Sequence, residues 1–236
     1  MDRSQRFFDR YPRFYDTTGT LLKPNRFEQR WRMIIDRHAD LLRGARVLDL
    51  ASHDGRWSFA ALMAGARHVV GVEGRPEMVG RARDNFLHYG ISPDQGQFHV
   101  GDAVTFLNRL ERGNFDVVLN LGFFYHTMRH QEIMEAIANT GADVLILDTG
   151  LAGDPRPIVE LGFEAVDDLR NAVDHRGTGA ARALVGVPSR AALALMAQAI
   201  DFGLAEVDWH AHIEDFRECE DYEARQRGTF LLRRAQ

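Results

Sequence analysis

A chain of 236 residues, 45% of them hydrophobic, suits one large domain better than two small ones. At this length folding needs no disulfide or metal staple. Cys219 is the single cysteine, which excludes an intrachain disulfide and any cysteine-built zinc site. The 29 basic and 34 acidic residues give a net charge of −5, whereas a dedicated electrostatic nucleic-acid binder shows a basic excess. Lys23 is the only lysine among the basic residues, and the abundance of arginine and alanine reads as the codon bias of a GC-rich genome. The charged opening has no apolar core of signal-peptide length. No later stretch approaches the roughly 20 apolar residues of a membrane span, so the expectation is a soluble cytoplasmic protein.

Residues 1–45 read as an amphipathic helical prefix carrying Phe7, Phe8, Tyr11, Phe14 and Tyr15. From residue 46 short β-branched runs alternate with longer helical patterns, the rhythm of a parallel sheet covered by helices. Strands are expected at 46–51, 68–73, 97–102, 115–120 and 143–148. Helices are expected at 56–64, from Pro76 to Gly90, near 103–112 and near 129–140. Gly65 punctuates the first of these, and Pro76 sits where a first-turn proline belongs. Residues 150–188 mix Gly, Pro and short apolar pieces and read as an insertion. Ser189 is a plausible N-cap for a helix over about 190–201. Two closing strands are expected at 204–209 and 229–233, separated by an acidic segment over 214–223 read as a solvated helix or loop. The fold class expected is α/β, a doubly wound, seven-stranded, mostly parallel sheet with helices on both faces. It forms a single domain of four parts: a lid (1–45), a core (46–149), an insertion (150–188) and a closing segment (189–236).

In such a sheet ligands bind beyond the carboxyl ends of the strands, where the strand order reverses. Asp49-Leu-Ala-Ser-His-Asp-Gly55 follows the first strand and runs into a helix, whose N-terminus offers free N–H groups. Glu73 closes the second strand, where an acid can accept hydrogen bonds from ribose hydroxyls. Asp102 closes the third and can meet an adenine amino group. Three carboxylates on three successive strand ends are a stronger signal than any one alone.

On these residues the chain resembles the class I S-adenosylmethionine-dependent methyltransferases, from about residue 46 to 148. Their first motif is a strand-end acid followed by Gly-x-Gly-x-Gly; here Asp49 is followed by Ala51, His53 and Gly55, so two glycines are replaced. Histidine is among the residues enriched at positive φ. The match continues through Glu73, Gly101-Asp102 and Phe115–Asn120 to Leu121-Gly-Phe-Phe-Tyr-His126, where a Tyr-His or Leu-His pair faces the active site in many members. The resemblance implies S-adenosyl-L-methionine as cofactor. Asp49 and the loop of Ala51, Ser52, His53 and Gly55 would hold its methionine part, Glu73 the ribose, Asp102 and Ala103 the adenine, with Asn120 and Leu121 beside the methionine. Each acid also has a plain structural reading: Asp49 orienting loop N–H groups, Glu73 capping the next helix. His53 reads either as a tolerated loop residue or as an active-site group, and Asp54 as an anion at a helix N-terminus.

A nicotinamide-dependent oxidoreductase is the rival on this architecture. Its Gly-x-Gly-x-x-Gly fingerprint is absent, and acids at 49 and 54 would disfavour a pyrophosphate while suiting a sulfonium. Methyl transfer needs chiefly alignment; where the acceptor arrives protonated, His126, next to Tyr125, is the first candidate base, a structural or substrate-bonding histidine being the competing role. Asp148 and His210 are placed to reach the same cleft. His126, His130, His210 and His212 lack the carboxylate-rich pattern of a catalytic metal site, so none is expected. Tyr11, Phe14 and Tyr15 are candidates for a lid, and Arg30 with Trp31 for the cofactor carboxylate or for plain packing. Function then reads first as O- or N-methylation of a small molecule, of the kind found in natural-product metabolism. A tRNA-modifying methyl- or carboxymethyl-transferring enzyme and a non-catalytic cofactor-binding protein are the alternatives.

Overall fold

A computed structural model describes residues 6–174 and 177–235. Nine strands are described: β1 (Arg46–Leu50), β2 (His68–Glu73), β3 (Gly96–Val100), β4 (Val117–Leu121), β5 (Val144–Gly150), β6 (Val159–Ala165), β7 (Arg182–Pro188), β8 (Phe202–Glu206) and β9 (Arg227–Arg234). Seven form one sheet in the order β3-β2-β1-β4-β5-β9-β8. The strands β1 to β5 run parallel, and β9 lies antiparallel to both β5 and β8. The order reverses between β1 and β4, so a crevice opens at their carboxyl ends.

Alternation along the strands sorts side chains to two faces. Val47, Val69, Val117 and Leu119 pack under α4 (Arg56–Met63) and α5 (Pro76–His88), together with the N-terminal segment. Leu48, Val70, Val118 and Leu145 pack under α6 (Ala103–Leu107), α7 (His130–Asn139) and α8 (Arg190–Gln198). The central strands β1, β2, β4 and β5 are buried on both faces, which is why they read as near-continuous apolar runs. Ser189 caps α8 by accepting from Ala192 N–H, as expected. Among the described residues no helix is long and apolar enough to cross a membrane.

Departures from the sequence reading cluster outside strands β1 to β5. The prefix is not one helix: a 3₁₀ turn at Phe7–Arg10 and α1 (Arg13–Thr17) precede α2 (Pro24–Arg30), which continues through a π turn and a 3₁₀ turn into α3 (Ala39–Leu42). Its aromatics pack on the core, Tyr11 and Tyr15 partly buried against it. Phe8 and Phe14 are fully buried, and Phe8 meets Trp57 while Phe14 packs on Phe59 and Tyr89. The insertion is an antiparallel hairpin, β6 against β7. Strand β8 ends at Glu206 rather than 209, because Trp209 turns into a separate core with Met33, Ile213 and Tyr222. The acidic segment is anchored rather than solvated: it ends in α9 (Glu220–Glu223), with Cys219 and Tyr222 buried.

Candidate active site

A cavity of about 730 Å³ opens at the crevice, within the roughly 300–1,000 Å³ range of small-molecule sites. Ala51, His53, Glu73, Asp102, Ala103, Leu121, Tyr125 and His126 line it, so most residues read from the sequence converge there. Asp49, Ser52, Gly55 and Asn120 do not face it; they lie beneath or behind its wall.

The loop after β1 is built from left-handed backbone, with φ of 55° at Ala51, 54° at His53 and 79° at Gly55. Glycine is kept only at 55, where a Cβ would stand 2.9 Å from the Phe98 ring. Glu73 leaves the end of β2 nearly buried. Its two oxygens accept from His53 N–H at 3.2 Å and Arg75 N–H at 2.8 Å. A carboxylate oxygen has lone pairs for more than one donor, so both oxygens keep acceptor capacity towards the cavity. This arrangement fits a vicinal diol. Asp102 caps α6 through Thr105 N–H and also binds Arg129 at 3.1 Å. Burial raises its carboxyl, but the Thr105 and Arg129 bonds bring it below the usual carboxylate range. Between these groups Val72, Ala103, Val104 and Ile133 give the cavity an apolar wall, suited to a flat ring.

Two acids that the sequence placed beside the cofactor are already engaged. Asp49 points away beneath the loop and accepts from Ser58 Oγ at 2.6 Å; burial pushes its carboxyl up to about 7. Asp54 is fully buried and takes Arg56 Nε at 2.7 Å and Thr17 Oγ1 at 3.0 Å. Burial alone would raise Asp54, but the Arg56 guanidinium holds it well below the usual range. Asp54 therefore presents no net negative charge to a ligand, and the electrostatic contrast with a pyrophosphate site is corrected: it does not rest on these acids. His53 Nδ1 accepts from Arg56 Nη2 at 2.9 Å, which places its ring proton on Nε2.

On the other side of the crevice, Tyr125 and His126 occupy a 3₁₀ turn after β4. His126 Nδ1 lies 2.7 Å from Glu164 Oε2, and Glu164 also accepts Ala172 N–H at 2.7 Å. Burial raises the Glu164 carboxyl, and the His126 bond outweighs it, bringing it below its ordinary value. Glu164 belongs to β6, so the inserted hairpin orients the candidate base. An Nδ1–H···carboxylate bond leaves Nε2 as the ring's free acceptor.

Sequence reasoning anticipated Arg30 but missed the other arginines of the cavity. Arg30, anticipated with Trp31, lines the cavity, but Trp31 stacks on Phe7 instead; Arg30 lies over the Trp57 ring at 4.9 Å. Arg227 enters from β9 and lies 5.1 Å from the Tyr125 ring centre. Both bind Asp148, which is fully buried and does not itself line the cavity. Arg75 donates to Asp168 and Asn171 carbonyls and so holds the loop of the insertion over the site. No signal in the sequence separates these arginines from the many others, because their positions depend on how distant segments meet. His210 lies against Phe216 in a different depression, and His130 Nε2 bonds Gly186 O. Among the described residues no group of three or more His, Cys, Asp or Glu is placed to hold a metal ion.

Residues 47–143 match a family described as a methyltransferase domain. A demethylmenaquinone methyltransferase of Clavibacter sepedonicus is 37% identical over 106 residues, 42% of this chain and 42% of that relative. The chain thus matches less than half the length of that relative. The N-terminal domain of EvdMO1, solved with SAH and D-fucose, superposes with a TM-score of 0.64 at 18% identity, covering 87% of this chain and 84% of that one. An S-adenosylmethionine dependent methyltransferase from Mesorhizobium loti superposes with a TM-score of 0.58 at 16% identity, over 87% of this chain and 98% of that one. The [4+2]-cyclase SpnF also superposes, with a TM-score of 0.60 at 14% identity, over 93% of this chain and 86% of that one; a shared fold does not fix the reaction. Residues 47–143 thus match a methyltransferase domain, and the chain shares its fold with S-adenosylmethionine-dependent methyltransferases.

Proposed function

We propose that this chain transfers a methyl group from S-adenosylmethionine to an oxygen or nitrogen of a small molecule. The observation that carries the reading is Glu73, a buried carboxylate at the end of β2 whose two oxygens are held by loop N–H groups and keep capacity for a ribose diol. Around it the loop of Ala51 and His53 would take the methionine part, and Asp102 and Ala103 the adenine edge. Leu121 would border the reacting centre. When bound, the cofactor supplies an electrophilic methyl on a sulfonium.

The chain's own work is alignment and, for a protonated acceptor, removal of one proton. His126 performs that removal at Nε2, its Nδ1–H held by Glu164; the carboxylate steadies the imidazolium that forms. The cavity, bordered by residues 169–173 of the insertion, supports a small acceptor over a tRNA. Calorimetric titration with S-adenosylhomocysteine tests the reading. Binding is expected in the wild type, with about tenfold or greater loss in Glu73→Gln, which weakens a charge-assisted pair of hydrogen bonds. No binding by the wild type, or undiminished binding by the variant, sinks it. Turnover with acceptors then separates an enzyme from a non-catalytic binder.

A further inference from the structure

The wall of the cavity opposite Glu73 holds two guanidiniums for one carboxylate. Asp148 accepts from Arg30 Nη2 at 3.0 Å, from Arg227 Nε at 2.8 Å and Nη2 at 2.7 Å, and from Tyr222 OH and Thr229 Oγ1 at 2.8 Å each. Its acceptor positions are filled from inside the protein. Burial would raise it, but Arg227 and then Arg30 hold it at about 2, so it carries one full negative charge against two positive ones. Tyr222 cannot supply a second charge, because burial raises its hydroxyl further above the neutral range. The adjoining Arg26 is matched one to one by Asp221, at 2.5 and 2.7 Å. One positive charge therefore remains uncompensated in a wall where the Arg30 side chain is 12% and that of Arg227 8% exposed. Buried charge without a partner is costly, and Arg30 Nε has no hydrogen-bond partner at all.

The two tips are also arranged. Each guanidinium lies over a ring, Arg30 on Trp57 and Arg227 on Tyr125, which fixes its plane before any ligand arrives. They converge over Gly122, where a Cβ would stand 3.1 Å from Arg227 Nη2 and 3.9 Å from Arg30 Nη2. All three residues line the cavity. Planar forks of this kind match a carboxylate. Tyr125 joins the pair to the candidate base: Arg227 Nη1 donates to its hydroxyl at 3.2 Å, and its ring lies 3.9 Å from that of His126.

We infer that Arg30 and Arg227 form a seat for the carboxylate of an acidic methyl acceptor, whose body lies along Tyr125 and whose methylated group is presented at His126. The inference rests on the methyl-transfer reading for the role of His126, while the seat itself stands on the arginine pair. The other source of the same chemistry is the carboxylate of the cofactor, and the experiment separates the two. The protein saturated with S-adenosylhomocysteine is titrated with 3- and 4-hydroxybenzoate and with the matching hydroxybenzamides. The acids are expected to bind about tenfold or more tightly than the amides. In Arg227→Met that preference is expected to vanish while S-adenosylhomocysteine affinity stays within about threefold. Equal binding of acid and amide, or no binding of either acid, overturns the inference. So does a parallel collapse of S-adenosylhomocysteine affinity in the variant, which would give the seat to the cofactor. The acid–amide comparison needs only the wild type, so a variant that fails to fold does not leave the question open. If the wild type binds no S-adenosylhomocysteine, the methyl-transfer reading fails, and the same titrations on the free protein still decide whether the seat takes an acid.

Discussion

A carboxylate at a strand end has different consequences at positions 49 and 73, and the difference is one of orientation. Glu73 extends past the end of β2 into the cavity; Asp49, one residue short of the end of β1, turns under the loop onto Ser58. Burial pushes Asp49 up to about 7, whereas an unfolded chain ionises it near its ordinary value of about 4. Between those two values the folded state binds a proton that the unfolded state has released, so this group makes stability fall as pH rises through the window and level off above it. Asp49→Asn removes that contribution while an amide oxygen can still accept from Ser58. The difference in unfolding free energy between wild type and Asp49→Asn, measured by urea denaturation, is therefore expected to move against the wild type from about pH 4 to pH 7. A constant difference across that range would mean that Asp49 ionises normally in the folded protein. Both acids were legible as strand-end acids from the β-branched run before each. The pairing of Asp54 with Arg56 was not, because it depends on the left-handed turns at Ala51 and His53 and on Thr17 and Thr18 arriving from the prefix.

Elements explain why the sheet was readable and the cavity's roof was not. The strands β1, β2, β4 and β5 are covered on both faces, so their apolar runs follow from local sequence alone. Close packing there is strict: a Cβ at Gly71 in β2 would stand 2.5 Å from the Phe98 ring and 2.6 Å from Ser52 Oγ. Gly71→Ala is expected to cost about 1–3 kcal/mol by overpacking, seen as a lower urea midpoint with an unchanged slope; a neutral effect would show that Phe98 and Ser52 give way freely. The hairpin β6–β7 has little apolar core and exposes Leu161 and Phe163, so periodicity marked the insertion without placing Glu164 opposite His126. That pairing makes a separate prediction. Glu164→Gln weakens the hold on the His126 Nδ1–H, so kcat is expected to fall about 10- to 100-fold while S-adenosylhomocysteine affinity stays within about threefold. Full activity in the variant would show that the Glu164 pairing does not serve proton transfer.

At the scale of the whole molecule, net charge proved a poor guide to local charge. A chain of net −5 walls its cavity with Arg30, Arg56, Arg75, Arg129 and Arg227, so the average that argued against a polyanionic partner hid a basic wall. The arginine excess also has a structural use that composition could not reveal, since the residues that meet at the cavity come from opposite ends of the chain. Asp148 is the clearest junction: through it β5 is tied to α2 by Arg30, to β9 by Arg227 and Thr229, and to α9 by Tyr222. Asp221 makes a superficially similar link to Arg26, but its side chain is 34% exposed. Removing the buried partner leaves two guanidiniums facing each other out of water, an effect of about 3–5 kcal/mol. Removing the half-exposed one lets water replace it, at about 1 kcal/mol or less. Urea denaturation of Asp148→Ala and Asp221→Ala should therefore rank the first far below the second. The loss in Asp148→Ala should shrink at high concentrations of a small anion able to enter between the arginines. Equal losses in the two variants would show that Asp148 does not act as the keystone between the two ends of the chain.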